Sequence, residues 1–423
     1  MTIIVLFASF IILLATGVPI AFAMGLSSVI ALSYDGSIPL LILPQRFFSS
    51  LDSFPLLAIP LFILAGNLMN VAGITEAIVL LARRLVGHFR GGLGQVNVAT
   101  SVLFSGISGS AAADIAAVGG MLMPAMAREG YKPEWSAVIT ASSAIIGPII
   151  PPSILMVIYG AMTGQSIGEL FLAGIVPGLV IAACLMTMVW IKADSIGAPR
   201  YQRARLGQIG DAFTKAAAAL IMPILIVGGI QSGVFSPTEA GIVAVFYGLV
   251  YGIAVGKLNL GLIYRFILDA AVSTGSILVI LGGAALFSWL IARAGVPAQI
   301  AGWLFALTEN SHIVLLLVAL FLLVIGMFVE TISALILVVP ILAPIANTYG
   351  FDPIHFAIVT IVTVLLGALT PPVAILLLLA CRIGNVSYAK TLRPLVPFFA
   401  VLLIGLALIM YVPALTLALP GRL

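Results

Sequence analysis

Residues 147–153 read Gly-Pro-Ile-Ile-Pro-Pro-Ser, and residues 367–373 read Gly-Ala-Leu-Thr-Pro-Pro-Val. The two stretches lie 220 residues apart (367 minus 147), and their leading glycine and paired prolines coincide. A proline has no amide proton to offer the carbonyl four residues back. Pro151 and Pro152 therefore release the carbonyls of Gly147 and Pro148, and Pro371 and Pro372 release those of Gly367 and Ala368. Both stretches sit inside apolar sequence, 134–164 and 353–383, so each reads as a helix interrupted in mid-span.

The same offset extends well beyond the prolines. Without gaps, residues 106–152 match 326–372 at 11 of 47 positions, among them Gly106 with Gly326, Pro124 with Pro344, Gly130 with Gly350, Pro133 with Pro353 and Thr140 with Thr360. Biased composition aligns Leu and Ala by chance, but it does not readily bring prolines and glycines into one register. The chain reads as an internal repeat.

Composition fixes the solvent. Of 423 residues 62% are hydrophobic, and only 18 Lys plus Arg and 14 Asp plus Glu are present. The mean hydropathy is +1.29. A soluble domain carries about 25% charged residues, whereas this chain carries 8%. A soluble enzyme, a nucleic-acid binder and a disordered chain are excluded. Runs such as Leu315 to Leu323 do not alternate as barrel strands do, which leaves an all-α polytopic membrane protein. At about 20 residues per span, the apolar stretches allow roughly ten crossings. The net charge of +4 reads as basic loops that hold topology. Cys184 and Cys381 lie in apolar stretches and suggest neither a disulfide framework nor a metal site. Met1 to Ala15 has no basic start and reads as a first membrane helix rather than a cleaved signal.

Charge then orients the repeats. Residues 93–127 are apolar, broken by Ser105-Gly106-Ile107-Ser108-Gly109-Ser110, and flanked by Arg83, Arg84 and Arg90 on one side and Arg128 and Lys132 on the other. Two basic flanks predict a re-entrant hairpin that opens on the cytoplasmic side. Its counterpart, 311–348, is flanked by Glu309, His312 and Asp352, with no Lys or Arg from 294 to 381, and is predicted to open on the other side. Three spans between the copies, 170–191, 216–235 and 238–256, also invert the second copy. The expected organisation is N-terminal scaffold helices over 1–54, repeat 1 over 55–169 and scaffold helices over 170–265 with a cytoplasmic loop at 192–215. Repeat 2 follows over 266–385, with a C-terminal helix over 386–423. That loop holds Lys192, Asp194, Arg200, Arg203, Arg205, Asp211 and Lys215. Residues 75–90 and 297–308 are predicted as amphipathic helices along the two membrane faces.

Broken helices survive in a bilayer only inside protein or beside a wet cavity. Free carbonyls and hydroxyls form a hard oxygen cage suited to a small cation, and half-helix N-termini hold anionic groups. The first tip offers Ser105, Ser108 and Ser110, with Asp114 one turn on, either at the site or as a helix cap. The second offers Glu330, Thr331 and Ser333 after Gly326, and Glu330 is an ionisable residue at membrane depth. Ser142, Ser143, Ser153 and Thr370 flank the breaks. Gly106-Ile107-Ser108-Gly109 also fits the GxSG pattern of intramembrane serine proteases, but His88, His312 and His355 all fall near predicted helix ends, far from a serine that needs a base.

Four segments carry a family resemblance: FSGISGSAAADIAAVGG at 104–120, GPIIPPS at 147–153, GMFVETISALILVVPILAPIA at 326–346 and LGALTPPV at 366–373. Together they resemble the large membrane subunit of tripartite ATP-independent periplasmic (TRAP) transporters. The resemblance implies an elevator-type, sodium-coupled importer of organic anions such as C4-dicarboxylates or sialic acids, without organic cofactor or catalysis. It implies a periplasmic binding protein and a small four-helix membrane subunit as partners. Because Met1 opens directly on the large subunit, the small one is expected as a separate chain. The resemblance implies the bacterial inner membrane, and the N-terminus is predicted to be periplasmic. Carried onto this sequence, the resemblance places sodium at Ser105, Ser108, Gly147, Pro148 and Pro151, and at Gly326, Glu330, Gly367, Ala368, Thr370 and Pro371. Substrate would lie between, near Ser108, Ser110, Ser153 and Glu330. The nearest alternative is a self-sufficient sodium/carboxylate symporter that needs no binding protein; the remote one is the protease.

Overall fold

The computed structural model describes residues 1–199 and 201–421, so Arg200 of the predicted loop lies outside the described residues. Among them there are helices and connecting turns but no strand. Eight described helices are long and apolar enough to cross a membrane.

The first hairpin runs out along Leu93–Ser108 and turns at Gly109 and Ser110. It returns through Ala111–Asp114, a π-helical turn at Ile115–Gly119, and Gly120–Arg128. Its open end is pinned by one side chain: the Tyr131 hydroxyl accepts from the Leu93 amide at 2.7 Å and donates to the Gly91 carbonyl at 3.1 Å. The second hairpin, Ser311–Phe328 and Thr331–Thr348, is closed at its open end by the Tyr349 hydroxyl, which donates to Thr308 O at 3.4 Å. Each is followed by a broken helix, Pro133–Ala144 with Ile154–Thr163 and Pro353–Gly367 with Ile375–Gly384. The second halves each contain 10 residues. At 1.5 Å per residue that is about 15 Å, half of a roughly 30 Å hydrocarbon core, so both breaks fall near mid-membrane. The Pro151–Pro152 and Pro371–Pro372 peptide bonds are both cis.

Contacts at the helix ends fix the inversion. Lys132 N donates to Ile196 O at 3.2 Å and Arg90 pairs with Asp194, so helix Ile167–Ile196 ends at the face where the first hairpin opens. From there Leu206–Gln231, Pro237–Ala254 and Leu260–Arg293 cross in turn. Thr238 Oγ1 donates to Phe54 O at 2.9 Å, and the Lys257 ammonium lies against Gly73, which confirms the alternation. The second hairpin, which follows Leu260–Arg293 through the arm Val296–Leu307, opens on the face opposite the first.

The helices that carry the tips and breaks pack on one another, the others pack around them, and the two groups touch, Ile74–Val86 against Leu93–Ser108 and Leu260–Arg293 against Thr331–Thr348. Hairpins, broken helices, Ile167–Ile196 and Tyr388–Tyr411 contact one another and form a core. Every residue from Ile354 to Gly367 is buried, a helix wrapped on all sides. The scaffold comprises Thr2–Ala15, Ile20–Asp35, Ala58–Val71, Ile74–Val86, Leu206–Gln231, Pro237–Ala254 and Leu260–Arg293. Leu206–Gln231 buries only Ala212, Ala216, Ala219, Met222 and Ile226, one narrow stripe, and turns Ile221, Ile224 and Leu225 outward to where lipid would lie. Crevices of about 530 and 370 Å³ run between core and scaffold on the face where Phe54 and Thr238 meet.

Three features differ from the sequence expectation. Ile167–Ile196, expected among the scaffold helices at 170–265, packs instead on the hairpins, the broken helices and Tyr388–Tyr411. Most of the predicted loop at 192–215 is helix: Ile167–Ile196 and Leu206–Gln231 run into it from either side. At 30 residues the first of these is about 45 Å long, so its charged end projects beyond the hydrocarbon. A further amphipathic helix, Ile42–Leu51, has no counterpart in the predicted elements; it lies along Leu260–Arg293 with the Arg46 guanidinium 5.5 Å from the Trp289 ring centroid.

Candidate functional site

The two hairpin tips and the two helix breaks meet at one cavity of about 110 Å³. Gly109 and Ser110 come from the first tip, Pro148 and Ile154 from the first break, Glu330 and Thr331 from the second tip, and Ala368 and Ile375 from the second break. No Lys or Arg is among the described residues that line it. Its unengaged polar groups are the Ser110 and Thr331 hydroxyls and Glu330 Oε1, none of which has a protein hydrogen bond among the described residues.

Glycine makes the convergence possible. Gly109 has φ +57°, and a Cβ there would stand 2.5 Å from Pro152 O, so the tip turns left-handed while pressed on the break. At the second site Gly326 and Gly367 face each other. A Cβ on Gly326 would lie 2.8 Å from Gly367 Cα, and one on Gly367 would lie 2.7 Å from Gly326 Cα.

The released carbonyls are largely recaptured. The buried Ser153 hydroxyl donates to Pro148 O at 2.5 Å and accepts from Met156 N at 3.3 Å, so it caps Ile154–Thr163 and reaches the cavity only through Pro148. Thr370 N donates to Gly367 O at 2.8 Å, Leu376 N to Ala368 O at 3.2 Å, and the Thr370 hydroxyl to Leu366 O at 2.7 Å. The expectation of free carbonyls at Pro148, Gly367 and Ala368 is thus corrected: the chain folds back on itself and leaves each only its second lone pair. Gly147 O receives no hydrogen bond among the described residues. Pro151 is buried with the first break, whereas Pro371 is half-buried and Pro372 exposed.

Among the tip residues, Ser105 is turned back on its own helix, donating to Val102 O at 2.6 Å. The Ser108 hydroxyl donates to Asp114 Oδ1 and lies 3.3 Å from Ser110 O. Glu330 caps Thr331–Thr348, its Oε2 accepting from Ile332 N at 3.0 Å and Ser333 N at 3.1 Å, the electrostatically favoured place for an acid. Asp114 caps nothing; it lies inside the returning arm. Ser143 and Asn97 form a separate buried network with Thr140, and the Ser142 hydroxyl is buried without a partner. The lining residues Leu155, Leu365 and Leu376 were not anticipated; apolar side chains carry no sequence signal that separates a cavity wall from ordinary packing.

No histidine approaches Ser108. His355 bonds Thr416 and the Met410 carbonyl instead, so the protease geometry is missing.

The chain matches the family profile "Tripartite ATP-independent periplasmic transporter, DctM component" over residues 7–415. It is 37% identical to the sialic acid TRAP transporter large permease protein SiaM of Vibrio cholerae, over 96% of each protein. It is 38% identical to the sialic acid TRAP transporter permease protein SiaT of Haemophilus influenzae, covering 97% of this chain and 67% of that one. Relatives named as C4-dicarboxylate and 2,3-diketo-L-gulonate large permeases stand at 35% identity. In architecture it is similar to the YdaH transporter of Alcanivorax borkumensis, with a TM-score of 0.65 over 90% of this chain and 88% of that one at 16% identity. The chain belongs to the TRAP transporter family, as the DctM component, the large permease.

Proposed function

We propose that this permease imports an organic acid anion together with sodium ions, by carrying the cavity between the two tips across the membrane. The observation that carries the reading is the charge inside that cavity. An anionic cargo there meets the Glu330 carboxylate and no basic side chain among the described lining residues. Two negative charges in a low-dielectric cavity repel strongly. The anion is therefore held only when cations accompany it, and coupling follows from electrostatics. The Gly147 carbonyl, the second lone pairs at Gly367 and Ala368, and the hydroxyls of Ser108 and Thr370 supply hard oxygens suited to sodium. Each net positive charge moved inward gains about 2.3 kcal/mol per 100 mV.

The names of relatives support an organic acid as cargo, carboxylates such as sialic acid and C4-dicarboxylates among them. Cargo would arrive from a periplasmic binding protein, with a small four-helix membrane subunit completing the complex. The third of SiaT that this chain does not cover is consistent with a fused second component in that relative. Arg46 and Arg293 are the described basic residues on the face where the second hairpin opens, which supports that face as periplasmic, with Thr2 and the N-terminus on it beside Asp35. The crevices between core and scaffold leave room for an elevator displacement.

Reconstitution tests the reading. Vesicles containing this chain with a cognate small subunit and binding protein should accumulate a carboxylate substrate under an inward sodium gradient and stop in potassium buffer. Equal uptake without sodium would overturn it, and uptake without the binding protein would favour a self-sufficient symporter.

A further inference from the structure

Helices Ile154–Thr163 and Thr331–Thr348 leave the tip cavity side by side and run toward the face where the second hairpin opens. A second cavity, of about 250 Å³, lies along the same pair. On one helix Leu155 lines the first cavity and Tyr159 the second; on the other the two residues are Ile332 and Val339. At about 1.5 Å of rise per residue, the two cavities are about 6–10 Å apart. The second opens outward, because Gln165 also lines the crevice of about 530 Å³ between core and scaffold.

Its wall is polar but uncharged. No Asp, Glu, Lys, Arg or His is among the described residues that line it. Tyr159 is 2% exposed, yet its hydroxyl makes no hydrogen bond among the described residues. The Gln165 and Asn347 side-chain amides are likewise unengaged. The Thr163 hydroxyl is spent on the Tyr159 carbonyl at 2.8 Å. Pro344 has no amide proton for the Pro340 carbonyl four residues back, which adds an acceptor to the same wall. A buried phenol is ordinarily hydrogen-bonded, and phenylalanine would fill an apolar wall as well. The repeat does not call for the hydroxyl, because the matched position, 159 plus 220, is Leu379.

We propose that this second cavity seats the uncharged, hydroxyl-rich end of a cargo whose carboxylate lies in the tip cavity, so that the permease selects polyhydroxylated monocarboxylates, the sugar acids. The inference rests on the reading that an organic anion occupies the tip cavity, and it names the class of that anion. Size argues for two compartments. The tip cavity, at about 110 Å³, falls short of the roughly 300 Å³ at which small-molecule pockets begin, and the two cavities together reach it. Chemistry decides what fills the second. A hydroxyl both donates and accepts, so a row of them can answer the phenol, the two amides and the Pro340 carbonyl. An alkyl tail would bury those groups unpaired. A second carboxylate would sit there without a base, and away from the hard oxygens at the breaks where cations gather.

Binding to the permease itself tests this, free of the binding protein's own selectivity. The full chain, in detergent and sodium chloride, is titrated with D-gluconate, D-glucuronate, hexanoate and succinate, and the rise in melting temperature is followed. A sugar acid is expected to reach half of its full shift at a concentration about tenfold or more below hexanoate and succinate. Tyr159→Phe should melt with the wild type when no acid is present, since the hydroxyl holds no protein group. It should need about tenfold more of the preferred sugar acid, the upper worth of one neutral hydrogen bond, and so narrow the gap to hexanoate. Asn347→Ala, at an exposed position, should act in the same direction. Wild-type midpoints in both variants, or succinate bound as tightly as the sugar acids, would overturn the inference and leave an anion in the tip cavity. A chain that answers to none of the four acids would overturn it too. Sodium-driven uptake of a carboxylate in the reconstituted vesicles would then show that the reading beneath it survives, and absent uptake that it falls as well.

Discussion

At the scale of single residues, two glycines matched in sequence answer to different neighbours. Gly147 leaves room for the Asp114 carboxylate, whereas Gly367 leaves room for backbone, with Gly326 Cα, Gly326 C and Leu323 O all 3.0 Å or closer to where its Cβ would be. A side chain can swing aside, but two apposed backbones cannot. Gly367→Ala should therefore push the second hairpin off its broken helix, destabilise the chain by about 1–3 kcal/mol and reduce uptake at least tenfold. A melting curve and an initial-rate assay on the same vesicles would check both numbers; near-normal values would mean that the close approach is dispensable. The importance of these positions was legible in the sequence because glycine and proline act on the backbone, which the chain order specifies directly. The fate of the released carbonyls was not. Whether Ser153 turns its hydroxyl to Pro148 O depends on a rotamer and on a fold-back over five residues, neither of which the pattern encodes.

At the scale of elements, each hairpin must be held shut at its open end, because its tip lies at mid-membrane with only packing around it. Tyr131 does this for the first. Its ring is buried between the hairpin and the broken helix, and its hydroxyl takes the Leu93 amide, one of the otherwise unpaired donors that begin a helix. Tyr131→Phe keeps the ring and orphans that buried amide, for an expected loss of about 1–3 kcal/mol. Burial, chiefly, pushes the phenol up to about 12 from its ordinary value of 10.0. Its folded pKa is raised, so its contribution is complete below pH 10 and is lost as pH climbs toward 12. The wild type should therefore lose melting temperature across that window by more than the Phe variant does; parallel pH profiles would rule out this role. The hairpins and broken helices were readable from apolar length and breaks. The helical extensions into 192–215, as far as Ile196 and from Leu206 on, were not, because charged residues mark where a helix leaves the bilayer, not where it ends.

At the scale of the whole molecule, inversion of the repeats was legible from basic flanks and an odd number of crossings, since both are sums over long segments that single errors do not disturb. The grouping of the helices was only partly legible: 170–265 was expected as scaffold throughout, but Ile167–Ile196 packs on the hairpins, the broken helices and Tyr388–Tyr411, and hydropathy cannot tell a helix that faces lipid from one that faces protein. An elevator would need the hairpins to move past the helices around them, and one contact tests whether they do. Gly106, on the first hairpin, lies so close to Pro223 of scaffold helix Leu206–Gln231 that the Cβ atoms of a Gly106→Cys, Pro223→Cys pair would start 2.8 Å apart, and a small shift reaches the roughly 3.8 Å of a disulfide. With Cys184 and Cys381 replaced, oxidation should abolish uptake and a reductant should restore it, because the bond would tie the moving hairpin to the fixed wall. If the oxidised pair transports at the reduced rate, hairpin and scaffold travel together, and access to the cavity must alternate by local movement of the tips.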